Sequence, residues 1–517
     1  MQRHIALVAI TVSLCLRVHD SKYCGIMSDD ELDNEVRGER FSTASVVEGF
    51  NAVVDSAKDP TKARRDASFV SCYANLVNSI MGAGILGLPY AYSNTGWLFG
   101  IIFQLMAVYF SITGCQLLAF CTSVTKQPGS FYTVVSAVNK KLTMVVDFVI
   151  FCMTFGVGSA YLIIIGDLMP KSLSSLGCSD ETLTSRSAWV LIGWCFAMPF
   201  SCMHNLDALK WTSGICFLFL VFITVLVTIY AMPNSLDSCA DQDLDDDVEP
   251  CQGDKHLLPT DAKSFIKVFS IFIFALGCQT NVFAFLNELE TPTNRRLRKL
   301  FRVSITSAAA IYVLFGCSSY STYGDSIHSD SIINYPANDV DAVARIFISF
   351  VVAFSYPLQV NPGRRAFLTL LQALFNKGSQ PSLLQIRFRF FAITSTYLAG
   401  TLGIGLFVSD LGLVFSLIGS IGSTMVMFII PGYCYLSLFV FEGNEERRAL
   451  ATESNNLQQK LIAEHNSVDD GAGNDSKSNV YETLPVHEGS EFYARTAWFQ
   501  LIAGFIVMPV CLIAIFI

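Results

Sequence analysis

Charge is what this chain has least of. Of its 517 residues only 15% are Asp, Glu, Lys or Arg, while 52% are hydrophobic; a soluble domain carries about a quarter charged residues. So little polar surface cannot solvate a chain of this length, which excludes an ordinary soluble enzyme and a disordered protein. Clustered positive charge is also missing. The formal net charge is −9, and a phosphate-binding face needs grouped Lys and Arg, so no nucleic-acid partner is expected. The 16 cysteines contain no Cys-x-x-Cys pair, and none combines with the seven histidines at a metal-binding spacing. No nucleophile–base constellation is present either, so a membrane enzyme has little support. What the chain does have is apolar residues in long runs, 41 of them Phe. It reads as an all-α polytopic membrane protein embedded in a lipid bilayer.

A helix needs about 20 apolar residues to cross the hydrocarbon core. Eleven stretches meet or approach that length: 69–90, 97–121, 142–165, 188–203, 211–231, 264–285, 303–323, 342–360, 388–408, 411–433 and 497–517. The basic residues of the connecting loops set the orientation. With the N-terminus cytoplasmic, every large basic cluster falls inside, among them Lys62-Ala-Arg64-Arg65, Arg295–Arg302, Arg364-Arg365 and Arg447-Arg448. The outer side keeps only Lys171, Arg186, Lys255, Lys263, Lys267 and Arg345. The expected organisation is therefore a cytoplasmic, mostly disordered tail (1–66) and a ten-helix core (67–436) with an outer loop at 233–262. A cytoplasmic, mostly disordered loop (437–495) and an eleventh helix (496–517) ending outside follow. The apolar start at 5–16 looks like a leader without a cleavage site, and Met27 offers an alternative start. Cys178, Cys239 and Cys251 lie in polar outer loops and are disulfide candidates.

Two of the apolar stretches are interrupted. The first reads Asn75-Leu-Val-Asn78-Ser79-Ile-Met-Gly82-Ala83-Gly84-Ile-Leu-Gly87-Leu-Pro89. Three Gly and a Pro within eight residues disfavour a continuous helix, although a small-residue packing face would use the same residues. The sixth reads Ala275-Leu-Gly277-Cys278-Gln279-Thr280-Asn281, placing polar side chains deep in an apolar run, where they are costly unless they face a site or a neighbouring helix. Unwound backbone survives in a membrane only where it lines a protein cavity. Stretches one and six hold corresponding places in two five-helix halves, the pattern of a transporter built from inverted repeats. Amide groups freed at 82–84 would bind a carboxylate at a half-helix N-terminus, and freed carbonyls would hold an ammonium group or a cation. The candidate substrate-binding residues are Asn75, Ser79, Gly82, Ala83, Gly84, Cys278, Gln279 and Asn281. With no Lys or Arg at mid-membrane, a zwitterion fits better than an anion.

Residues 75–91 with Asn94-Thr-Gly96, Leu206-Asp-Ala-Leu-Lys210, 278–283 with Asn287-Glu-Leu289, Asn334-Tyr-Pro336, Ser355-Tyr-Pro357, Asn361-Pro-Gly-Arg364 and Asp410-Leu-Gly412 together carry a family resemblance. They are similar to the amino acid/auxin permease family, most closely its sodium-coupled neutral amino acid transporter branch. The resemblance covers about 67–436 and the last helix. It implies a LeuT-like 5+5 inverted repeat with an eleventh transmembrane helix, working by alternating access. It also implies a small neutral amino acid as substrate and sodium or a proton as coupling cation. The family's sodium positions correspond to Asn78 and Ser355; no other cofactor is expected. Ser355 stands where the branch usually has Thr, and Gln279 where many relatives carry His. The host membrane would be the plasma membrane or a vacuolar or lysosomal one. A competing function is a non-transporting amino acid sensor that signals through its cytoplasmic segments.

Overall fold

The computed structural model describes residues 67–125, 129–178, 180–201, 210–232, 253–259, 261–336, 338–375, 383–441 and 490–516. The expectations for the N-terminal tail, for most of the 233–262 loop and for the loop at 442–489 lie outside these residues. So do Cys239 and Cys251.

Among the described residues the protein is helical, apart from one isolated bridge pairing Ala67 with Leu289. The helices are α1 (Phe69–Ile80), α2 (Gly84–Thr122), α3 (Phe131–Val138), α4 (Leu142–Ser175), α5 (Arg186–Ser201), α6 (Lys210–Tyr230), α7 (Ala262–Ala275), α8 (Gln279–Glu288), α9 (Asn294–Tyr323), α10 (Asp339–Phe375) and α11 (Leu383–Phe407). Then α12 (Leu411–Leu417) runs through two π-helical turns, Ile418–Ser423 and Met425–Ile429, into α13 (Ile430–Phe439), and α14 is Glu491–Phe516. Seven of the helical units are long and apolar enough to cross a membrane: α2, α4, α7 with α8, α9, α10, α12 with α13, and α14. The protein is a multi-pass membrane protein.

Stretches one and two separate where the sequence suggests, though by a single residue. Helix continues past Tyr90 and bends at one residue, Gly96, with φ +69°, a conformation that costs glycine little. The segment at 253–259 fills the gap left by the bend. Trp97 and Leu98 donate their amides to the carbonyls of His256 and Leu257, and a Cβ on Gly96 would lie 2.7 Å from the Leu257 backbone. Buried backbone donors need partners, and this loop supplies them.

The bundle is organised around α10, which packs most extensively on α4; α2 lies between α9 and α7. On one flank α14 docks against α13 and the π-helical stretch. There Gln500 Nε2 donates to the Met427 carbonyl at 2.6 Å and to the Phe110 carbonyl at 3.1 Å. The π-helical register moves carbonyls out of the usual ladder, and Gln500 takes up one of them. Close approach there depends on glycine: a Cβ on Gly419 would collide with the Ser270 carbonyl of α7.

Candidate functional site

Both interruptions seen in the sequence are real breaks in the structure. The chain leaves α1 at Ile80, passes through residues 81–83 without helix and re-enters at Gly84; α7 ends at Ala275 and α8 starts at Gln279. No side chain caps the start of α2 or of α8. The first-turn amides of a helix have no partner within it; here those of Ile85, Leu86 and Asn281 turn back onto the carbonyls of Gly82, Ala83 and Cys278, and each uncapped start directs the positive end of its dipole to the break. The ends of α1 and α7 contribute carbonyls to the same two places.

The breaks meet. A Cβ on Gly84 would lie 2.7 Å from Ala275 Cα and 3.1 Å from its Cβ, so the chain crosses itself backbone to backbone. Beside this crossing, Asn281 Nδ2 of α8 donates to Ser79 Oγ of α1 at 2.7 Å. Two tyrosines close the site from other helices. The Tyr312 hydroxyl of α9 donates to the Ile80 carbonyl at 2.6 Å. The Tyr161 hydroxyl of α4 sits where a Cβ on Gly82 would come within 2.7 Å of it, and it also engages the Gln359 side chain of α10. From the π-helical stretch, Ser423 Oγ lies 3.5 Å from the place of a Cβ on Gly277 and is buried without a hydrogen-bond partner.

The structure thus brings Ser79, Gly82, Ala83, Gly84 and Asn281 to one place. Asn75 shares the Ser79 face of α1 by its i, i+4 spacing and is half-buried, whereas Asn78 is 3% exposed. Cys278 and Gln279 point elsewhere, towards α2. Gln279 Nε2 donates to the carbonyl and Oγ of Ser111, each at 3.3 Å, and Cys278 Sγ lies 3.6 Å from Cys115 Sγ. Ser111 Oγ in turn donates to the Leu276 carbonyl at 2.7 Å, satisfying an acceptor that the end of α7 frees. These side chains hold the second break in shape from behind. Tyr161, Tyr312, Ser423 and Ser111 were not singled out from the sequence. The only sequence signal for them is a hydroxyl inside an apolar run, and such residues are numerous here.

For a cation the relevant observation is Ser355 on α10. It is 3% exposed and its Oγ has no hydrogen-bond partner. A buried hydroxyl left in that state costs about 1–3 kcal/mol, so an oxygen-seeking ion suits it. Ser355 lies one turn before Gln359, on the face of α10 that meets Tyr161. Among the described residues no group of three or more His, Cys, Asp or Glu side chains is placed to hold a metal. The oxygens here are hydroxyl, amide and carbonyl, a set that suits a hard monovalent cation better than a transition metal. Cys178 is half-buried and forms no disulfide among the described residues, which do not include Cys239 and Cys251.

Paired broken helices, crossing inside an apolar bundle and free of charged side chains, place the protein in the class of helical membrane transporters. Residues 65–453 match the family described as transmembrane amino acid transporter protein, and the chain belongs to that family. Vacuolar amino acid transporter 5 of Schizosaccharomyces pombe is 28% identical over 372 residues, which cover 71% of this chain and 84% of the relative. Vacuolar amino acid transporter 6 of Saccharomyces cerevisiae is 28% identical over 412 residues, covering 71% and 89%. Human sodium-coupled neutral amino acid transporter 7 is 27% identical over 384 residues, covering 72% and 80%.

Proposed function

We propose that the protein is a secondary active transporter of small neutral amino acids, driven by a sodium or proton gradient. The observation that carries this reading is the crossing of the two breaks at Gly84 and Ala275, bridged by Asn281 and Ser79. A zwitterion complements it. The uncapped start of α2 suits a carboxylate, and the carbonyls ending α1 and α7 suit an ammonium group. The absence of charged side chains at the crossing favours a substrate of zero net charge, because an unbalanced ion would be costly at that depth. Asn78 and Ser355 are the ligands assigned to a coupling sodium ion.

In this reading the chain forms a LeuT-like 5+5 inverted repeat plus an eleventh helix, with the N-terminus in the cytoplasm and the C-terminus outside or in the lumen. Rocking of the broken pair against α4 and α10 would expose the crossing to one side at a time. The two yeast relatives, both vacuolar amino acid transporters by name, favour a vacuolar membrane.

The experiment is uptake of labelled neutral amino acids into proteoliposomes with sodium and proton gradients imposed separately. Flux that follows one gradient, weakens in Asn78→Ala and vanishes in Gly82→Leu is expected. Saturable substrate binding without flux under either gradient would replace the carrier by a sensor.

A further inference from the structure

Away from the broken helices, the segment joining α9 to α10 holds an acid that the transport site does not use. Asp330 precedes a 3-10 turn, Ser331–Asn334. It is 3% exposed, and neither carboxyl oxygen makes a hydrogen bond of ordinary geometry, although the Ile332 amide lies close enough to favour the charged form. Its neighbour Asp341 at the start of α10 is equally buried yet accepts from the Tyr230 hydroxyl at 2.6 Å.

Of the surrounding charges, Asp167 and Arg345 are already engaged, and Lys171 is exposed. From α4, Asp167 and Lys171 face Asp330, and from α10, Arg345 does. Asp167 is paired with Arg186 at 2.6 Å, and Arg186 also donates to the Val408 carbonyl at 2.8 Å. Arg345, 2% exposed, donates to the carbonyls of Ile332, Tyr335 and Pro336, which belong to the same turn as Asp330, and to Ser175 Oγ. From α2, which also packs on this turn, no charged residue is available, only tyrosine and cysteine among titratable types. Asp410 at the start of α12, where Gly412 lies against Ser329, accepts from the Leu413 amide.

We propose that the Asp330 carboxyl is a proton-binding site whose occupancy decides whether Arg345 keeps the α9–α10 turn latched onto α4 and α10. When it is protonated, the acid can stay buried without a counter-charge and Arg345 remains on the loop carbonyls. When it is ionised, a donor must be found, and Arg345 can supply one only by leaving the loop carbonyls it now holds, which loosens the turn. Burial pushes the Asp330 carboxyl up to about 7, with the negative Asp167 adding to the rise and Lys171 and Arg345 opposing it. The site titrates around neutrality, where a proton gradient has most leverage. The consequence for flux rests on the transport reading above; the proton site itself does not.

The test therefore has two readouts. In the first, the full chain in lipid nanodiscs is titrated through neutrality and followed by difference infrared spectroscopy. A protonated-carboxyl stretch that disappears with a midpoint near 7 is expected, missing in Asp330→Asn and retained in Asp330→Glu. Lys171→Gln should move the midpoint upwards. An unchanged spectrum in Asp330→Asn overturns the proposal, and if that variant does not fold, absence of the band from the parent protein and from Asp330→Glu does the same. The second readout is uptake of labelled neutral amino acids with pH varied only on the side that Asp330 faces. Loss of the neutral midpoint in Asp330→Asn supports the latch, and an unaltered pH profile refutes it. A titrating band in a protein that moves no amino acid would leave the proton site standing and remove the transport reading instead.

Discussion

The crossing of the broken helices and the cap over α4 and α10 solve one problem, polar groups buried in an apolar bundle, in opposite ways. At the crossing no side chain is charged. Partial charges come from helix ends, hydroxyls and one amide, and the backbones approach until a Cβ on Gly84 would have no room beside Ala275. In the cap, ionisable groups are buried: Arg345, Asp330 and Asp341 are each at most 3% exposed; loop carbonyls hold Arg345 and a tyrosine hydroxyl holds Asp341, while Asp330 has no such partner. Fixed dipoles need no counter-ion and can release a zwitterion cheaply, whereas a buried charge responds to every change in its partners. The first arrangement suits a site that must fill and empty, the second one that must hold or let go.

The difference can be broken at the cap most easily. The ordinary Asp value is 3.8 and the folded protein raises it to about 7, so the folded state binds the extra proton. Stability is then lost as pH rises from about 4 to about 7, by about 1.4 kcal/mol per pH unit. Thermal melts across that range should show Asp330→Asn gaining on the parent protein by a total on the order of 4 kcal/mol, with a flat gap above about pH 8. Parallel curves would show that the acid is not buried as described. Next in size, Arg345→Ala should cost about 3 kcal/mol, because it strands loop carbonyls and removes the cation beside Asp341. A melting temperature within a degree or two of the parent would refute that role.

At the crossing, Gly84→Val forces a side chain into the Ala275 backbone and should cost about 1–3 kcal/mol while abolishing uptake. Normal uptake by a folded Gly84→Val protein would separate the breaks from the transport site. The smallest effect is expected from Asn281→Ala, which removes one bridge worth about 1 kcal/mol. Here uptake should weaken through substrate affinity more than through maximal rate, as read from its concentration dependence.

Much of the fold was legible because membrane burial is demanding. The scarcity of charge and the long apolar runs imply spanning helices with little reference to packing. The breaks at 81–83 and 276–278 were legible for a similar reason: Gly with adjacent polar side chains in mid-span is tolerated in few other ways. The division at Gly96 lies between the two stretches read from the sequence, but the 253–259 segment that arrives to accept the Trp97 and Leu98 bonds was not legible. Side-chain direction was not legible at all. Cys278 and Gln279 sit at the second break yet face Ser111 and Cys115, because α2 lies behind α8 and offers the polar partners there.

By itself the sequence determined that the chain lives in a membrane, where its long apolar helices run and where two of them come apart. These follow from composition and from backbone preferences that act within a few residues. Only the tertiary structure decided that the breaks cross at Gly84 and Ala275, that Tyr161 and Tyr312 close on them, and that Asp330 is sealed without a hydrogen-bond partner. Such facts depend on which helices become neighbours, and a one-dimensional pattern carries no distance between residues hundreds of positions apart.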